Sequence, residues 1–208
     1  NKEQEANYKD GKKDGLLTTW FGDGQKEQEA NYKDGKEDGL VTKWYENGQK
    51  TLEIHWKNGM LVSASVWKPD GKPCPITKVI DGSGILVEYH ENGQKKYEAH
   101  YNNGQNEGLL TWWDENGQKQ EVGTYKAGEL HGLNTRWYSN GQKQWEYHYK
   151  DGMLDGLHSK WHENGQKMKE GHYKDGEQDG LWTQWYENGQ KKAEGHIKDG
   201  EVVSSKEF

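Results

Sequence analysis

The sequence is poor in cysteine, proline and phenylalanine: of 208 residues one is Cys, three are Pro and two are Phe. A lone cysteine, Cys74, excludes an internal disulfide and leaves the redox compartment open. No run approaches the ~18 apolar residues of a membrane-spanning helix. No signal peptide is expected in the chain, which starts at Asn1 without Met and inside a repeat, so that upstream sequence is expected. Only 29% of residues are hydrophobic, which leaves no material for a thick two-layer core. A clustered positive surface is also missing. The net charge is −7 with the two signs interspersed, which argues against a nucleic-acid groove and gives no help to binding at an anionic membrane.

What the chain has in quantity is tryptophan (11), tyrosine (12) and glycine (28). Low hydrophobicity with 30% charge would suggest disorder, but disordered chains are poor in aromatics. Large rings with a polar edge can shield a thin sheet. The glycines are periodic. One landmark, Asn-Gly-Gln-Lys, places its glycine at Gly48, Gly93, Gly117, Gly141, Gly165 and Gly189, with variants at Gly24 and Gly71. A second set, Gly11, Gly35, Gly59, Gly82, Gly104, Gly128, Gly152, Gly176 and Gly200, recurs every 24 residues, shortened to 23 and 22 on either side of Gly82. Asn-Gly and Asp-Gly favour tight hairpin turns, and period-2 patterning between them reads as strand. The expectation is all-β: an elongated, single-layer antiparallel β-meander of tandem ~24-residue β-hairpin repeats, about seventeen strands in all. Three stretches of one continuous repeat domain are expected: 1–59, a degenerate 60–92, and 93–208.

Alternation sorts the strand residues onto two faces. Leu16, Thr18 and Trp20 share one face, as do Leu40, Thr42 and Trp44, and Leu181, Thr183 and Trp185; this face hardly changes and is expected to carry the packing between repeats. The opposite face varies and is expected to read a partner. Its candidate contact residues are Tyr45, Trp112, Arg136, Tyr138, His158, Lys160, His162, Trp182 and Tyr186. Residues 68–80 break the pattern and hold Pro69, Pro73, Cys74 and Pro75. Proline cannot donate to a ladder, so Pro73, Cys74 and Pro75 are expected to mark a kink.

No catalytic or cofactor-binding residue is expected. The sequence holds no Gly-x-Ser-x-Gly, Walker loop or dinucleotide fingerprint, and its acidic pairs recur in every unit, whereas a catalytic pair would be singular. His55, His100, His148, His172 and His196 form one column, each two residues after a Glu. Successive members lie two strand spacings apart, ~9.6 Å, too far to share a zinc held at ~2.0–2.2 Å. Asn7, Asn31 and Thr124 occupy the same column, so a polar ladder is expected rather than a metal site.

These units resemble MORN repeats, specifically the bacterial variant of the YwqK-type antitoxin family. The resemblance is carried by Trp185-Tyr186-Glu187-Asn188-Gly189-Gln190-Lys191 with Glu194-Gly195-His196, and by Tyr173-Lys174-Asp175-Gly176-Glu177-Gln178-Asp179-Gly180-Leu181-Trp182. It covers nearly the whole chain apart from residues 60–82. It implies a single-layer β-meander that binds or scaffolds other proteins and, for members named antitoxins, a cognate toxin. No functional residue of the family carries over, because its shared positions are the repeat scaffold. Composition and resemblance together point to a non-catalytic protein-interaction module, with a toxin as one expected partner. Two alternatives stay open: self-assembly into homo-oligomers through open sheet edges, and phospholipid or carbohydrate binding by the aromatic rows. Cytoplasmic and secreted locations are both compatible with the sequence.

Overall fold

The computed structural model describes residues 3–198 and 200–208. It contains eighteen antiparallel strands of one open sheet and, among the described residues, no helix. The chain forms two compact units, one running to Glu107 and including Glu115–Gly117, the other made of Gly108–Asp114 and Gln118–Phe208. The first unit holds β1 (Gln4–Lys9), β2 (Lys12–Trp20), β3 (Lys26–Lys33), β4 (Lys36–Trp44), β5 (Lys50–Lys57), β6 (Met60–Val66), β7 (Lys78–Ile80), β8 (Ser83–Tyr89) and β9 (Lys95–Asn102). The units divide within β10 (Gln105–Trp113). The second continues with β11 (Lys119–Lys126), β12 (Glu129–Trp137), β13 (Lys143–Lys150), β14 (Met153–Trp161), β15 (Lys167–Lys174), β16 (Glu177–Trp185), β17 (Lys191–Lys198) and β18 (Glu201–Glu207).

Both expected turns form, and each does two jobs. In the Asp-Gly turn both central residues have positive φ (Asp34 51°, Gly35 85°), as a type I′ hairpin requires. The turn glycine then donates its N–H to the preceding hairpin: Gly35 to Lys13 O at 2.8 Å, Gly152 to Leu130 O at 2.9 Å. In the Asn-Gly-Gln-Lys turn the Asn carboxamide accepts from the Gln N–H two residues on, at 2.9 Å for Asn140. The same carboxamide donates to the next turn in the stack: Asn140 to Glu163 O and Asn164 to Glu187 O, both at 2.7 Å. One side chain thus closes its own turn and fastens the next.

A third glycine column, not singled out in the sequence, has positive φ as well: Gly15, Gly39, Gly132, Gly156 and Gly180. It builds a bulge. Between β3 and β4 the register passes from Ala30↔Val41 to Tyr32↔Glu37, so three residues oppose one. In three units the bulge carbonyl is taken by a member of the histidine/asparagine column, Asn7, Asn31 or His148. Asn31 Nδ2 donates to Leu40 O at 3.0 Å, and His148 Nδ1 lies 3.0 Å from Leu157 O, so Nδ1 carries the proton. Asn and His both serve this purpose, as Asn31 and His148 show.

The faces differ from the expectation. The recurrent leucines Leu16, Leu40, Leu109, Leu133 and Leu181 are exposed, while the residue after each of the first four, on the variable face, is buried: Leu17, Val41, Leu110 and Asn134. His158, after Leu157, is buried too. Recurrence on the leucine face reflects a polar ladder: the leucines are exposed, while the hydroxyl residues Thr18, Thr42, Thr111, Thr135, Ser159 and Thr183 are buried. There Lys143 pairs with Glu146 at 2.5 Å and Thr135 donates to the same carboxylate, an arrangement renewed by Lys167, Glu170 and Ser159. Variation on the other face is compensated across strands, small against large: Leu17 faces Ala30 and Leu86 faces Ala99, both alanines fully buried. Gly171 and Gly195 flank Trp182, and a Cβ on Gly195 would lie 2.4 Å from Ser204 O.

Across residues 68–80 the ladder continues but narrows to one register pair between β6 and β7, Ala64↔Val79. Lys68–Lys72 make a turn equivalent to the Asn-Gly-Gln-Lys turn, and Trp67 bridges to Pro73. The three-residue β7 then pairs with β8. Cys74 is buried, its Sγ 3.3 Å from the Tyr89 hydroxyl and accepting from Thr77. Burial alone would raise the thiol, but the hydrogen bonds from Thr77 and Tyr89 outweigh it and hold the pKa below its ordinary value.

Two stability outcomes follow. Leu52 is almost fully buried, so Leu52→Ala destabilises the chain by about 2–5 kcal/mol in denaturant unfolding. Ala127 holds the positive-φ position (49°) that Asp or Asn occupies in the other turns of this kind. Asn tolerates that conformation better, so Ala127→Asn raises stability by up to about 1 kcal/mol in the same measurement.

Candidate functional site

The nine candidate residues fall into three groups. Tyr45, Tyr138 and His162, each following a strand-ending Trp, do the same structural work. The Tyr45 and Tyr138 hydroxyls donate to Trp67 O and Trp161 O at 2.9 Å, and His162 Nε2 lies 3.2 Å from Trp185 O. Trp112 and Tyr186 are exposed. Arg136, His158 and Lys160 come together on one face of the second unit, with Trp182 further along the row of His158.

The register explains this grouping. Directly opposite residues line up across β11–β16 as Glu121, Arg136, Trp145, Lys160, Lys169 and Gln184. The neighbouring row on the same face runs Gly123, Asn134, Tyr147, His158, Gly171 and Trp182. Tyr147 is the aromatic exception in a column otherwise filled by Ala6, Ala30, Ile54, Ala99, Gly123, Gly171 and Gly195. Its ring stacks on Trp145 at 4.4 Å and on His158 at 3.7 Å, and His158 meets Tyr173 at 4.9 Å with tilted planes. These ring contacts shield His158, which is 7% exposed.

Beside the stack, charge is poorly compensated. Lys160 and Lys169 are direct cross-strand neighbours, a like-charge pairing that destabilises a sheet. Arg136 reaches Glu121 at 3.8 Å, but no carboxylate pairs with either lysine among the described residues. Burial, and then Lys160, lower the Lys169 pKa. Burial, reinforced by Lys160 and Lys169, lowers that of His158 from 6.5 to about 4. Three cations and an indole therefore cross four strands, backed by a neutral aromatic stack. Sequence reading named Arg136, His158 and Lys160 but missed Trp145, Tyr147 and Lys169. Their signal was available as Tyr147, the one aromatic residue in a column of Ala, Gly and Ile.

Seven segments of the chain, residues 13–34, 37–58, 83–103, 106–127, 130–151, 154–175 and 178–199, match the family model described as the MORN repeat variant. The chain belongs to the MORN repeat variant family. The matched MORN segments cover well over half of the chain and, within each run, start 23 or 24 residues apart; the stretch they pass over, 59–82, is the proline-bearing one. MORN repeats are non-catalytic modules that generally mediate interactions with proteins or membranes. No curated protein matches the chain.

The buried imidazole gives a pH prediction. Because the folded pKa of His158 is about 4 and the unfolded value 6.5, the unfolded chain takes up the proton first. The contribution of His158 to stability is complete above pH 6.5 and is lost as pH falls towards about 4. In denaturant unfolding across that window, His158→Phe, which keeps a ring in the stack, shows a shallower loss of stability than the parent chain.

Proposed function

We propose that this chain is a non-catalytic protein-interaction module whose second unit binds an acidic segment of a protein partner. The observation that carries this reading is the Lys160–Lys169 pair: two ammonium groups set against each other across a strand pair, flanked by Arg136 and Trp145, with no carboxylate of the described residues between them. A sheet selected only for stability would place an acidic residue at one of these positions, as it does at the Lys–Glu pairs on the opposite face. A partner carboxylate would bridge the two ammonium groups, and the indole of Trp145 offers a rigid apolar contact beside them. The finer reading, an antitoxin or immunity protein that neutralises a cognate toxin, rests on the family resemblance; it requires the bound partner to be toxic when produced alone.

The test separates function from stability. Lys169→Glu installs the missing cross-strand ion pair, so the variant is more stable by a few tenths to about 1 kcal/mol. The same change weakens capture of the partner from native lysate by about tenfold or more, measured as the bait concentration needed for half-recovery. A variant that gains stability and keeps its partner contradicts the proposal. So does recovery of the bait alone, as multimers, which favours self-assembly.

A further inference from the structure

The first unit holds a cleft that none of the repeat positions foretells. Residues of β3 and β4 and their turns come to lie beside β8 and the turn after it; the backbone N–H of Glu46 donates to Glu91 Oε1 at 2.9 Å, 45 residues away in the chain. Between them is a cavity of about 290 Å³. Its aromatic walls are Phe21, Trp44, Tyr45 and Tyr89. Its carboxylates are Glu27, Glu88, Glu91 and Glu115, set against two ammonium groups, Lys43 and Lys96, so the lining carries an excess of two negative charges. Among the described residues, none of Glu27, Glu88, Lys43 and Lys96 is spent on an ion pair within the chain.

We propose that this cleft takes the side chain of an arginine presented by a protein partner. The assignment rests on shape and charge together. A flat guanidinium stacks on aromatic faces and meets a carboxylate with two parallel N–H donors, whereas an ammonium group does neither as well. A lining of aromatic rings and carboxylates supplies both halves of that recognition. One of these rings already attracts a cation, since Lys68 Nζ sits 5.2 Å from the centre of Tyr89. The negative potential registers on Tyr45, whose phenol is pushed up to about 12 by burial and then by Glu88, Glu91 and Cys74. The cleft and the lysine pair of the second unit are opposite in sign, so they select different features of a partner. The inference rests on the protein-interaction reading only for the source of the arginine.

Titrating the full chain with acetyl-Gly-Arg-Gly-amide, followed by amide and indole chemical shifts, tests the cleft without any natural partner. The expected result is saturable shifts centred on Phe21, Trp44 and Glu88. The peptide with citrulline in place of arginine, a neutral isostere, should bind at least about fivefold more weakly, and Glu88→Gln with Glu91→Gln should remove the difference between the two peptides. The Glu91→Gln change keeps a carbonyl acceptor for the Glu46 N–H, and unchanged shifts elsewhere report that the doubly substituted chain is folded. Equal affinity for the arginine and citrulline peptides, or shifts that do not saturate in the cleft, overturns the proposal. An acetyl-Gly-Lys-Gly-amide peptide binding as tightly as the arginine peptide overturns the choice of arginine. Loss of partner capture in Lys169→Glu is a separate measurement, so the cleft and the lysine pair stand or fall independently.

Discussion

A two-residue turn that places both of its central residues at positive φ is the constraint on which the rest depends. It fixes the register of each hairpin, and in a sheet the register decides which side chains face which way. Slipping a strand by one residue would exchange the buried Val41 and Asn134 for the exposed Leu40 and Leu133 along the whole strand. The chain protects the register redundantly. Asp-Gly turns set it at one end, Asn-Gly-Gln-Lys turns at the other, and the turn glycines and asparagines tie each hairpin to the next. The bulge at the third glycine column then absorbs the extra residues of each unit, with its exposed carbonyl taken by Asn31 or His148.

With the register fixed, the energetics of a thin sheet follow. There is little apolar area to bury, so packing is local and runs across strands: leucine against alanine in the first unit, tryptophan against glycine in the second. Lysines extend over the rings of the next unit, as Lys143 does over Trp161 at 5.5 Å, adding their methylene stems to the shielding. Where the size rule is broken, at Tyr147, the ring stacks with Trp145 and His158. The binding features arise at such departures from the repeat. A scaffold that renews itself every 24 residues offers a partner nothing singular until a unit departs from it.

Strands and turns were legible in the sequence because each is coded within a few residues, by Asn-Gly, Asp-Gly and period-2 alternation. The faces were legible only as a division, not as buried and exposed. Recurrence reads as the mark of packing, but the recurring Leu-Thr-Trp face is held by the lysine–glutamate–threonine ladder, while packing tolerates variation as long as the partner across the strand compensates. That compensation, such as Gly195 opposite Trp182, needs the register, which periodicity alone does not supply. The same gap hid half of the second-unit site: Arg136 and Lys160 stood out individually, whereas Lys169 acquires meaning only as the direct neighbour of Lys160. The first-unit cleft was not legible at all, since it joins residues 45 apart across the short β7, a contact with no counterpart in a regular repeat.

The central claim is that the residue after the recurrent leucine, not the leucine, faces the packed side of the sheet. Single cysteines at positions 133 and 134, in a Cys74→Ser background, test it by their rates of thiol labelling under native conditions. Leu133 is 40% exposed and Asn134 3%. The account predicts that Leu133→Cys reacts at close to the rate of an unfolded thiol and Asn134→Cys at least about tenfold more slowly, through local opening of the sheet. Equal rates, or the reverse order, would mean that the register is not the one described and would contradict the assignment of both faces.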